Sequence, residues 1–183
     1  MIEPYIIEFC SPTLASLKTG NMFSIDVDNI AETVLSIEAE NIKLNPKGVY
    51  IELLKCQSSR ALIYVYRKSK LERDLHTPSV QNILRFYGYG NISIRGCIDF
   101  LKKRLGQSDG FPHEIGLFLG YPPGDVLGFI MNSGHNFKCT GCWKVYCDEK
   151  ESRQCFEKFK KCKTVYMRLF EEGRPLINLT VAN

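Results

Sequence analysis

The apolar positions of this chain recur with two different periods. Between residues 24 and 44, "SIDVDNIAETVLSIEAENIKL" sets Val27, Ile30, Val34 and Ile37 three and four apart. That is the spacing of one helix face, and Asp26 or Asp28 is available to cap its start. "VYIELLK" and "RALIYVYR" are instead dense in β-branched and aromatic residues and are separated by the polar "CQSS". They predict an antiparallel hairpin whose second strand is buried on both faces. Pro12 suits the first turn of a short helix "TLASLKTG" ended by Gly20, and Pro78 opens another through "SVQNILRFYGYG", ended by Gly88 and Gly90. "SIRGCIDFLKKRLG" places Ile94, Cys97, Ile98 and Leu101 on one side. "FKCTGCWKVY" reads as a third strand, and "DEKESRQCFEKFKKCKTVYMRLFEEG" as a long amphipathic helix with a break near Lys163. The sum is one α+β domain over residues 1–183, a small mostly antiparallel sheet of about three strands packed by several helices.

One stretch departs from both periods. "FPHEIGLFLGYPPGDVLGFIMNSG", residues 111–134, predicts two very short helices around a Pro-Pro turn, an αα-corner over 113–132. With Gly120 as the turn glycine, Gly116 falls four before it and Val126 and Phe129 six and nine after it, the spacing of a helix-turn-helix. The surface does not suit DNA. A reading helix offers Arg, Lys, Asn or Gln to base edges, whereas this one offers Asp125, Leu127, Gly128 and Met131 before Asn132, and Asp125 would repel phosphate. The corner therefore reads as a packing device, with nucleic acid an unfavoured partner.

Composition narrows the classes. The 183 residues are 44% hydrophobic and 24% charged with a formal charge of +4, ordinary globular values that permit an acidic partner without requiring one. The longest apolar runs are too short to span a bilayer. "MIEPYIIEFC" carries Glu3 and Glu8 where a secretory signal would carry positive charge, so a cytoplasmic address is expected, with its eight cysteines reduced. The lysine-rich run "EKFKKCKTVYMR" interleaves Phe156, Phe159 and Tyr166. That pattern can bind nucleic acid, but the aromatics are spaced to face a core and the lysines to face solvent.

Three constellations carry chemistry. His135, Cys139, Cys142 and Cys147 lie in one short segment, and a Cys-x-x-Cys turn with two further ligands could hold zinc or iron. On a strand, however, residues three apart point to opposite faces, unless Gly141 bulges to bring Cys139 and Cys142 together. Cys10, placed just before a helix start, is the best nucleophile, and His113 at an element edge the best base. Tyr121, Trp143 and Phe137 offer flat groups for a small ligand or cofactor. Arg60 and Arg67 bracket the central strand, where an arginine can grip a carboxylate or phosphate or form a surface ion pair.

The blocks "RALIYVYR", "FPHEIGLFLGYPPGDVLGFI", "CTGCWKVY" and "KKCKTVY" resemble the successive blocks of a bacterial family of unknown function, found largely in anaerobic gram-positive organisms. "PTLASLKTGNMF" is similar to that family's opening "PTLAGLK", with Ser16 in place of glycine. The resemblance spans nearly the whole chain and implies no catalytic or binding residue. The chemistry alone leaves three functions open: a small-ligand, metal or cofactor-binding protein that uses its thiols; a cysteine-based enzyme with Cys10 and His113; or an interaction module built on the basic helix.

Overall fold

A computed structural model describes residues 2–90, 92–107 and 111–182. The fold is α+β and 57% helical. Strands β1 (Gly20–Asp26), β2 (Val49–Gln57) and β3 (Arg60–Arg67) form an antiparallel sheet in the order β1-β3-β2. The expected hairpin is β2–β3, closed by Ser58 and Ser59, both at positive φ, as a tight two-residue hairpin turn requires. Every residue of β3 after Arg60 is buried, as an apolar run without alternation predicts.

Because β3 is central, its alternating side chains feed two cores. Ala61, Ile63 and Val65 face one, with Phe23 of β1 and Ile51 of β2. This first core is covered by α1 (Glu3–Leu14), α2 (Ile30–Leu44), α8 (Glu149–Glu171) and α9 (Leu176–Leu179). Leu62, Tyr64 and Tyr66 face the second, covered by α3 (Lys68–Leu75), α4 (Pro78–Phe86), α5 (Ile94–Gln107), α6 (Ile115–Phe118) and α7 (Pro123–Met131). The sheet is thus the middle of three layers. Each single-sided helix buries its stripe, which is the main source of its stability.

Several boundaries differ from expectation, each for a local reason. The first helix runs through Pro12, which lies in its interior and not in its first turn. Gly20 does not end a helix but begins β1, the true third strand of the sheet. The helix expected from Ser24 begins only at Ile30, capped by Asn29, whose side chain accepts from the Ala31 amide at 3.0 Å. β1 is short and an edge strand, so its alternation is easily absorbed into the helical spacing that follows. "FKCTGCWKVY" gives two two-residue strands, β4 (Cys139–Thr140) and β5 (Lys144–Val145), paired in a small separate hairpin. Helix α8 is unbroken at Lys163.

Arg67 has a role of its own. It does not lie at the surface but is a fully buried residue. Its Nε donates to the Thr13 carbonyl at 2.6 Å, and its Nη2 to the carbonyls of Leu14 at 2.5 Å and Val181 at 2.7 Å. The Thr13 and Leu14 carbonyls are the last two of α1 and have no partner within the helix. The Val181 amide also donates to the Leu14 carbonyl at 3.0 Å. One guanidinium at the end of the central strand therefore joins α1 to the segment that follows α9.

Candidate functional site

The αα-corner forms as α6 and α7, joined at Gly120, Tyr121 and Pro122. Gly120 has φ +73° and approaches Thr19 so closely that a Cβ would lie 2.7 Å from the threonine Cβ. No larger residue fits that turn. The β4–β5 hairpin packs on α7, where the Tyr146 ring covers Gly128.

Asp125 joins the two. It is 2% exposed, and its carboxylate accepts three hydrogen bonds at 2.8 Å, from the Trp143 indole and from the amides of Tyr146 and Cys147. The residue expected to repel phosphate instead serves as an internal acceptor, worth about 1.5–3 kcal/mol per charged hydrogen bond. Trp143 is held further by an edge contact with Phe156 at 4.6 Å and by Tyr121 at 4.9 Å. The Tyr121 hydroxyl donates to the Cys142 carbonyl at 3.0 Å, and burial pushes its pKa up to about 12.

Two cavities lie against this hub, and Asp125 and Trp143 line both. The first, of about 300 Å³, is a cleft walled mainly by Phe111, Phe129, Tyr121, Trp143 and Val126, with His113 and Lys144 as its ionisable groups besides Asp125. His113 is exposed, its ring 5.2 Å from that of Phe129. The Lys144 ammonium donates to the Gly134 carbonyl at 2.8 Å and lies over the rings of Phe129 and Phe137. The second cavity, of about 460 Å³, is polar on one side, where Lys18, Lys70, Arg73 and Asp74 meet Asp148 and Glu151.

The candidate residues divide accordingly. His113, Tyr121 and Trp143 share the first cleft. Arg60 lies elsewhere, exposed and bordering a groove with Phe9 and Phe23. Cys10 is not at a helix start but inside α1, fully buried in the first core, where desolvation pushes its thiol far above the ordinary range. His113 is exposed in the cleft beside the corner, whereas Cys10 lies inside the first core, so the structure does not assemble them as nucleophile and base.

The ligand set is not assembled either. Among the described residues no three His, Cys, Asp or Glu side chains converge as a metal site. Cys139 is buried and paired with Val145, while His135, Cys142 and Cys147 are exposed. Desolvation raises both the Cys142 and the Cys147 thiol, with Lys18 opposing the rise at Cys142 and Asp125 adding to it at Cys147. The hairpin turn thus separates the sulfurs rather than gathering them. All eight cysteines are free thiols.

Two residues of this region carry no sequence signal as site residues. Asp125 reads as a helix-start acid, since nothing local reveals the amides that it will meet eighteen or more positions later. Lys18 reads as the polar end of a short helix but is only 7% exposed. A lysine between Leu17 and Thr19, just before an edge strand, is the faint clue.

No helix among the described residues is long and apolar enough to cross a membrane. No curated protein and no solved structure matches the chain. The model of the family described as a protein of unknown function, DUF3793, matches residues 6–180, and the chain belongs to that family.

Proposed function

We propose that this one-domain, cytoplasmic protein binds a small, flat, largely apolar ligand with an acidic group, in the cleft between the αα-corner and the β4–β5 hairpin. One observation carries this reading: a cleft of about 300 Å³ whose walls are aromatic and whose available ionisable groups are His113 and Lys144. Ligand sites are mostly apolar concavities of about 300–1,000 Å³ with a few placed polar groups. This one is at the small end, and its walls suit a single ring system.

The chemistry of the walls supports binding more than catalysis. Asp125 already accepts three hydrogen bonds and has little capacity for a ligand proton. Lys144 and His113 supply the charge and hydrogen bonding that would fix the ligand's acidic end. Cys139, Cys142 and Cys147 do not line the cleft, so the thiols lie outside this binding reaction.

Trp143 is the only tryptophan, and it lines the cleft, so its emission reports occupancy. Titration with 1-naphthoate should change that emission saturably. Lys144→Met should weaken the binding of 1-naphthoate about tenfold, equivalent to about 1.4 kcal/mol, and leave that of uncharged naphthalene nearly unchanged. Emission that responds to neither compound would overturn the proposal.

A further inference from the structure

The second cavity contains a group that the ligand cleft does not use. Lys18 follows the end of α1, its amide bonded to the Pro12 carbonyl at 3.1 Å, and its side chain lies in the interior at 7% exposure. Among the described residues its ammonium has no hydrogen-bond acceptor and no carboxylate within ion-pair distance. The contact it does make is with the face of Tyr121, 5.1 Å from the ring centre.

A buried ammonium without a counter-ion is expensive, and proteins answer by neutralising the group. The titratable neighbours of Lys18 are Cys10 from α1, Cys142 from the hairpin turn and Cys155 from α8, and burial pushes all three thiols up, so they remain uncharged. Desolvation accordingly brings Lys18 down from 10.5 to about 8. Such an amine is neutral in an appreciable fraction of molecules near neutrality, the condition that makes a lysine nucleophilic.

Lys70 and the exposed Arg73, both on α3, line the same 460 Å³ space. Lys70 has no ion-pair partner among the described residues, and Arg73 has Asp74 at 3.7 Å. Asp74 is in turn engaged by the Thr19 hydroxyl at 2.5 Å. The cavity, whose lining also holds the carboxylates of Asp125, Asp148 and Glu151, thus pairs a nucleophilic amine with two cations suited to hold an anionic group beside it.

We propose that Lys18 captures a small aldehyde or keto acid as an imine, with the acid's carboxylate held by Lys70 and Arg73. The Nζ lone pair attacks the carbonyl carbon, and the carbonyl π pair moves to oxygen, which takes a proton from cavity water. Nitrogen gives up a proton, the new hydroxyl is protonated and leaves as water, and the C=N bond closes. Amine and carbonyl thus become imine and water, with no oxidant or reductant involved.

The test is reductive trapping on the full-length protein. Glyoxylate with cyanoborohydride should modify Lys18 at least ten times faster than exposed lysines such as Lys160, as read by peptide mass mapping. The rate should rise with pH and level off above about 8. Lys18→Arg should abolish the fast modification, and Lys70→Met with Arg73→Met should slow glyoxylate about tenfold while leaving propanal unaffected. Lys18 modified no faster than Lys160 in the unaltered protein overturns the amine's role, whether or not the variants fold. Equal slowing of glyoxylate and propanal overturns the anion subsite. Both outcomes are independent of naphthoate binding, so either proposal can fail alone.

Discussion

The two sides of the molecule are held together in different ways. The first core, between the sheet and helices α1, α2, α8 and α9, is built mainly from apolar side chains, and a large polar insertion, Arg67, is bonded to backbone carbonyls. The corner and hairpin region rests on a carboxylate, a set of tilted and edge-on ring contacts and a buried lysine, and two cavities open within it. On the first side the grooves run along the edge strand β1, whereas beside the corner a polar hub with rigid aromatic struts holds walls apart. The difference accounts for where binding chemistry can reside.

Substitutions can break that contrast or sharpen it. The largest effect is expected from Arg67→Ala, which removes three hydrogen bonds and leaves a cavity in the closed side. It should cost about 4 kcal/mol, seen as one cooperative shift in denaturant midpoint by far-UV circular dichroism. Asp125→Ala should cost about 2–3 kcal/mol and act regionally: Trp143 emission should redden and become accessible to acrylamide before the helical signal falls. Simultaneous loss of both signals would show that the corner and hairpin are not a separable unit.

Lys18→Met should act in the opposite direction, raising stability by about 2 kcal/mol at pH 7 once the lost Tyr121 contact is set against the relief of a buried charge. The pH dependence has a definite sign. Below about 8 the amine is protonated in both folded and unfolded protein, and the folded state bears the full desolvation penalty. Between about 8 and 10.5 the unfolded chain binds more protons, so the unaltered protein gains stability as pH rises and the variant's advantage fades. Thermal melts at pH 7 and pH 10 check this. The smallest effect belongs to Ser16, which has φ +58° at the end of α1. Ser16→Gly should add about 0.5–1 kcal/mol, visible as a rise of a few degrees in Tm.

The same contrast describes what could be read from the chain alone. Helices α2, α5 and α8 and the β2–β3 hairpin follow from apolar spacing because each buries one continuous stripe or run. The α6–α7 corner follows from its glycines and prolines, and a left-handed Ser16 fits the glycine expected at that place. Strand β1 was hidden because its few alternating positions run directly into a helical repeat. The first cleft was partly legible: His113, Tyr121 and Trp143 do meet. The four proposed ligands do not converge among the described residues, because nearness along the chain says little across a tight hairpin, where Cys139 is buried and Cys142 exposed. Asp125 and Lys18 were invisible for a related reason. Their meaning lies in partners from distant segments, and no local pattern encodes those.

The junction at Arg67 also bears on how the protein can be made. Helix α1 packs on the sheet and most extensively on α8, and its last carbonyl accepts from the Val181 amide, so part of its apolar surface stays uncovered until residues 149–181 have left the ribosome. During synthesis the sheet and the helices of the second core can settle early, while α1 waits as a sticky amphipathic segment. That interval is where a nascent chain of this kind would need shelter from aggregation.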